Sequence, residues 1–484
     1  MLTFRLSDDA FAALAAGRPT AATLAELRKA QISRHLLLLR EILRLENGKT
    51  PIWYAEQRPG PGVRDGLADP MKALHTAATL AAFRARTPPP GPDEPSPHHL
   101  SITEDGLTLR VRLEDTDPLR ARLGLTPSRQ LTGQEVDTWR RLLAEAWRLL
   151  VARHRPAAAT IAAVLRVIVP IEPDPDSAGL SATSAEAFGA VALSTPADAT
   201  ALAVGLLHET QHSLLNATRT LFDLVLPGAP RAYSPWRDDP RPPFGLLHGA
   251  YAYLAVTRFW RTEAAVSGHA LAQFEFARWR HAVADSADAL AGCLTPAGAR
   301  FVQALRAEVG GWLADEVDPW VERLAHGANV EHRVRWRLRN LTVDTEALIA
   351  AWPGGRPPAA RLRAGDTGRA LEHSDRLDLV HRLLREGDQS LPPGSRQRPG
   401  DDAWLRGESG AARHAYVQSL KRSVRRAIEP EISPGPREVD LWAGIAIAGP
   451  WRSVRERPEL VRAAYHALPD QELDKIADWL DFSS

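Results

Sequence analysis

A single cysteine, Cys293, stands in 484 residues. An internal disulfide needs two and a cysteine-based metal cluster needs more, so any metal here must be held by histidines and carboxylates. No apolar run is long enough to cross a bilayer, mean hydropathy is -0.26, and the first residues lack a basic stretch followed by an apolar one. The expectation is a soluble cytoplasmic protein with no membrane partner. A formal net charge of +1 argues against a nucleic-acid partner. The length suits two or three domains and a large core.

His208, Glu209 and His212 form an HExxH motif inside the apolar stretch 206–215. Residues four apart on a helix share a face, so the two imidazoles can grip one ion while Glu209 projects beside its open positions. A random chain of this composition would carry the pattern in about three cases per hundred, so context has to raise it. Thr195 is read as a helix cap, Pro196 as first-turn and Asp198 as the capping-box position, with the helix running from 199 to about 215. Ala203, Leu206, Leu207, Leu214 and Leu215 would carry the imidazoles into an interior.

Elsewhere, residues 10–48 read as helical, and the lone His35 there as a packed or surface residue. The Pro/Gly-rich 86–97 segment is a loop. Residues 100–103 and 107–113 alternate around Glu104, Asp105 and Gly106, which predicts a hairpin. A helix follows over 139–154, then buried strands over 164–171 and 188–194. Four prolines in 233–243 exclude regular structure there and predict a stiff loop presenting Trp236, Arg237 and Arg241. The helix from 244 to about 266 is apolar nearly all round, with His248 in its first turn. Three more helices are expected between 274 and 352. Arg333, Arg335, Arg337 and Arg339 spread around the last of them and should be mostly solvated. A helix pair, 403–423 and 439–447, occupies the tail.

Two histidines do not complete a catalytic metal site. The metzincin pattern is excluded, because Thr218 stands where its third histidine would be and Leu215 where its glycine would be. Glu263 is a weak third ligand and His248 a better one, since an antiparallel helix pair would bring it towards His208 and His212. At this point a zinc peptidase with Glu209 as general base remains open. So does a non-catalytic protein whose helical tail binds a precursor peptide.

Residues 189–194 (GAVALS), 205–216 (GLLHETQHSLLN), 233–242 (YSPWRDDPRP), 245–251 (GLLHGAY) and 332–340 (HRVRWRLRN) resemble the HExxH proteins of ribosomal peptide maturation. These are described as 2-oxoglutarate-dependent HExxH-type peptide beta-hydroxylases, and some are fused to a radical SAM enzyme. The likeness is strong over about 180–345 and loose before it. In the tail it continues through 404–416 and 441–445. One cysteine cannot build a radical SAM cluster, so the stand-alone form is implied.

The resemblance implies hydroxylation of a beta-carbon in a ribosomally made precursor peptide, with Fe(II), 2-oxoglutarate and dioxygen. His208, His212 and His248 would be metal ligands, with Glu209 a catalytic residue, a ligand or a neighbour of one. Arg237 or Arg241 would take the distal carboxylate of 2-oxoglutarate, with salt bridges to Asp238 and Asp239 as the plainer alternative. Trp236, Tyr251 and Arg337 would meet the peptide. The expected fold is mainly α with a small β-sheet, the HExxH helix packed on a second buried helix. The expected divisions are a helical region 1–95, a metal-binding catalytic domain 96–353, and a helical extension 354–484 with a TPR-like helix pair.

Overall fold

The computed structural model describes residues 4–45, 66–91, 96–174, 179–363, 374–386, 398–426 and 435–482. Parts of three expected features, 46–48 of the first helical run, 92–95 of the proline-rich loop and 427–434 between the tail helices, lie outside them. The fold is mainly α with a small β part, as the sequence periodicities predict.

The chain opens with helices α1 (Asp8–Ala15), α2 (Ala21–Leu45) and α3 (Pro70–Ala85). Strands β1 (His99–Glu104) and β2 (Leu107–Leu113) precede α4 (Gly133–Arg153) and α5 (Arg155–Val164). Then come β3 (Val167–Ile171), β4 (Ser181–Ala182), β5 (Ala190–Ser194) and α6 (Ala199–Arg219). A short pair, β6 (Ala232–Ser234) and β7 (Arg237–Arg241), leads to α7 (Pro243–Ser267), α8 (Ala270–Ala289), α9 (Pro296–Gly310) and α10 (Pro319–Asn340).

Two compact units result. The first comprises Met1–Gly228, Leu247–Thr262 and Val283–Leu313. Its sheet has the order β1-β2-β3-β5-β4, with β2, β3 and β5 parallel and the two edge strands antiparallel. The β1–β2 turn is Asp105 and Gly106, both at positive φ, the geometry a two-residue hairpin of this twist demands. Alternation then decides what each face meets. Ile168, Val191 and Leu193 face α4, α5 and α6, with Trp139 and Trp147 in the same cluster. Val167, Val169, Ala190 and Ala192 point the other way, towards Met71 and Leu74 of α3. A sheet buried on both faces explains why β3 and β5 read as continuous apolar runs.

Expected helix boundaries shift in physically legible ways. Gly17, at positive φ, breaks the first helical run into α1 and α2. Helix α4 starts at 133 because Thr132 and Glu135 form a capping box. His35 is packed, its ring nitrogens bonded to the Leu67 carbonyl and the Thr76 hydroxyl.

The second unit comprises Ala229–Leu246, Glu263–Ala282 and Ala314–Ser484. Here the expectation for 233–243 is corrected, because this segment forms the antiparallel β6–β7 hairpin. Pro235 and Trp236 make its turn, and a two-stranded ribbon tolerates Pro240 because every strand in it is an edge. The expectation for the arginine run of α10 is modified, since three of them are ion-paired and of the four only Arg339 is exposed. Arg335 meets Asp440, Arg337 meets Glu459 and Arg339 meets Asp238.

Beyond α10 the chain adds α11 (Thr345–Ala351), α12 (Asp375–Glu386), α13 (Pro399–Leu405), α14 (Ser409–Arg426), α15 (Pro436–Ala448), α16 (Arg452–Glu456), α17 (Pro458–Ala467) and α18 (Leu473–Phe482). The expected tail pair corresponds to α14 and α15, except that the first expected helix, 403–423, is broken at 406–408, where Gly407 takes a positive φ, and its start belongs to α13. Tyr416 of α14 packs where Gly400 and Gly444 leave room, since a Cβ at either would lie 2.4 or 2.6 Å from its ring. Its hydroxyl donates to Asp401, which also accepts from Arg376.

Gly444→Ala should destabilise the protein by about 1–3 kcal/mol through overpacking, read as a lower midpoint in urea unfolding. Glu438 offers a pH test. Burial would raise its carboxyl, but bonds from His466, Arg462 and Trp442 outweigh it and hold the group at about 2. Between the ordinary 4.5 and 2 the unfolded chain binds more protons, so this stabilisation is complete above 4.5 and lost as pH falls towards 2. Thermal melts from pH 5 to 3 should show Glu438→Gln losing less stability than the parent, by on the order of 2 kcal/mol.

Candidate metal centre

Strand β5 ends at Ser194 and α6 begins at Ala199. Its cap is Asp198 and not Thr195, because the Asp198 carboxylate accepts the Ala201 N–H at 2.8 Å while Thr195 and Pro196 stay outside the helix. From 201 to 218 only Ala201, Val204, Gly205, His208 and His212 escape burial, and this spacing is one face of a helix. The expectation of two histidines carried wholly into the interior is therefore modified. They line the one open stripe of α6, while Glu209 is 1% exposed.

One donor atom each from His208, Glu209 and His212 lies within 4.8 Å of the others, and among the described residues this is the group of three or more such side chains that meets that test. The His208 Nε2 to Glu209 Oε1 distance is 3.9 Å. The rings of His208 and His212 are nearly perpendicular, with centroids 4.5 Å apart. Helix α7 supplies the neighbouring wall. It starts at Pro243, which puts His248 in its second turn instead of its first. The His248 ring stacks on His212 at 3.7 Å and 5°. Tyr253, which sequence reasoning missed, stands edge-on to His208 at 5.3 Å. Its spacing from His248 carries no motif signal.

Burial pushes the His208 imidazole down to about 4. His212 lies well below its usual range, first through burial and then through its histidine neighbours. Both are neutral at pH 7, with the lone pairs that coordination needs. The Nδ1 of His212 is buried without a hydrogen-bond partner. Two neutral imidazoles, one carboxylate and an unsatisfied buried nitrogen fit a divalent metal cation.

The other expected site residues are placed as follows. Arg237 and Arg241 lie in β7 of the second unit, where both bond the two oxygens of Asp239, at 2.9 and 3.1 Å. Arg237 Nη2 is buried with no hydrogen-bond partner. Trp236 occupies the β6–β7 turn and is part-exposed. Tyr251 is a core residue, fully buried, its hydroxyl donating to the Leu14 carbonyl at 2.6 Å. Arg337 forks onto Glu459. Glu263, the weak third ligand, belongs to the second unit and not to the donor group.

No protein-family model matches this chain, and neither does any curated protein.

Reconstituted anaerobically with Fe(II), the protein should hold one ion per chain. His208→Ala and His212→Ala should each weaken it at least a hundredfold, and His248→Ala about tenfold, as measured by elemental analysis after dialysis.

Proposed function

We propose that this chain is an Fe(II)- and 2-oxoglutarate-dependent oxygenase that hydroxylates a beta-carbon of a ribosomally made precursor peptide. The observation that carries this reading is the His208, Glu209, His212 donor group, its two histidines on the one open stripe of α6 and its glutamate buried beside them. The sequence likeness over 180–345 supplies the substrate class.

Iron(II) chelated by a 2-oxo acid supplies dioxygen activation and the oxidising power to hydroxylate an unactivated carbon. The chain's own residues prepare that chemistry. His208 and His212 offer neutral nitrogens, and the Glu209 carboxylate offsets part of the cation's charge in a low-dielectric setting. His248, stacked on His212, fixes that ring's plane and narrows the space beside it. Burial of α6 on its remaining sides keeps water from the back of the centre, so the open stripe is the route for peptide and dioxygen. In the second unit, Arg237 and Arg241 share the single carboxylate of Asp239. These salt bridges are the plainer alternative to a cofactor contact for the two arginines.

A zinc peptidase would need Glu209 to reach water at the metal's open side, and its near-complete burial weighs against that role. The two readings separate in an anaerobic absorption titration with Fe(II) and then 2-oxoglutarate. A visible charge-transfer band requiring both, and lost in His212→Ala, is expected. Tight zinc binding without a band, together with peptide cleavage abolished by Glu209→Gln, would overturn the oxygenase reading.

A further inference from the structure

The second unit carries a cavity of about 870 Å³, bounded by Arg337 at the end of α10, the segment 354–360, Arg457, Leu460 and Phe482. It is an open groove and not an enclosed pocket, with room for a short run of extended peptide. Its walls are fastened in advance. Trp479 donates its indole N–H to the Gly355 carbonyl at 3.2 Å and stands edge-on to Trp352, which fixes the 354–360 segment on α18. Arg337 is clamped on the buried Glu459, and Arg457 bonds the Leu480 carbonyl. Little ordering is left to be done when a ligand arrives.

Charge and composition then name the ligand. Three arginines line the cavity against one glutamate, and that glutamate is already matched by Arg337. Arg356 is exposed and, among the described residues, has no ion-pair partner. Beside it, Pro357 and Pro358 stiffen one wall, since successive prolines hold the backbone extended. Phe482, at 90% exposure, offers an unpartnered aromatic ring at the rim. A free guanidinium, a bare aromatic ring and a stiff apolar wall are the composition of an interface anchor.

We propose that this cavity docks an acidic segment of a peptide, with an apolar residue seated against Phe482. On the oxygenase reading it holds the precursor on the enzyme while the centre acts on another part of it.

The test uses the full-length, metal-free protein and two fluorescein-labelled decapeptides, one of Glu and Leu and one of Lys and Leu in the same order, followed by fluorescence anisotropy. The acidic peptide should bind, its lysine counterpart should bind at least tenfold more weakly, and 0.3 M salt should weaken the acidic complex. Arg356→Glu, at an exposed position that leaves the fold intact, should lower affinity at least tenfold, and Phe482→Ser several-fold.

Equal binding of the two peptides, or an unchanged affinity in Arg356→Glu, would overturn the proposal. So would displacement by a single-stranded oligonucleotide at equal charge, which would make the cavity a nucleic-acid site. A dimer in sedimentation that dissociates in Phe482→Ser would make it a contact between copies of this chain. Metal-free binding and the iron titration report separately. Peptide binding without a charge-transfer band would leave the cavity standing and remove the oxygenase, and the reverse pattern would do the opposite.

Discussion

The first unit depends on a sheet that must be covered on both faces. Once Ile168, Val191 and Leu193 alternate with Val167, Val169 and Ala192, neither side of β3 and β5 can face water. Helix α6, leaving the end of β5 after a four-residue link, lies among α4, α5 and the sheet, with Leu202, Ala203, Leu206 and Leu207 in their common cluster. Helical geometry does the rest. With packing claiming most of its circumference, only one stripe meets solvent, and its polar members between 201 and 218 are His208 and His212. The same packing that stabilises the fold withdraws solvent from the imidazoles and keeps them unprotonated.

The second unit solves a different problem, that of burying charge. Arg376 is 3% exposed and sits between Glu331 and Asp401, with Ser374 and Tyr416 bonding those same carboxylates. A buried cation left with one acceptor would be costly, whereas one shared by two acids, each with a hydroxyl donor, is satisfied on both sides. Such a network adds little net stability over an apolar core. It does tie α10, α12, α13 and α14 to one register, because a slip of any one helix strands a charge.

How much of this was readable in advance follows from the range of the interactions. Local signals held well: the Glu104 to Leu107 hairpin, the apolar runs of β3 and β5, and the helix spacing of His208 and His212 each depend on residues within a turn or a strand of one another. The mainly α fold follows from them. The errors have equally local causes. Thr195 lost the cap to Asp198, which sits one residue from the helix, and the proline-rich 233–243 segment paired because an edge ribbon needs few N–H donors. What stayed hidden is the long-range pairing. Nothing in the arginine run of α10 announces Asp440, Glu459 or Asp238 as partners, and nothing around residue 416 shows two distant glycines making space for its ring. Nor does spacing alone tell that His248 would stack on His212, with Glu209 as the third member of the donor group.

Helix α7 brings His248 to the centre, and its position along its own axis is set by the other end of the first unit. Tyr251 bonds the Leu14 carbonyl, and the Arg258 guanidinium meets the carbonyls of Ala16 and Gly17 as well as Glu308. The Ala16 and Gly17 carbonyls lie just past the last residue of α1, where no further helical turn bonds them. The opening helix is thus a datum from which one wall of the centre is measured. Substitutions around residue 16, remote in sequence from the HExxH motif, would reach the His248 ring through α7 before they touched any member of the donor group.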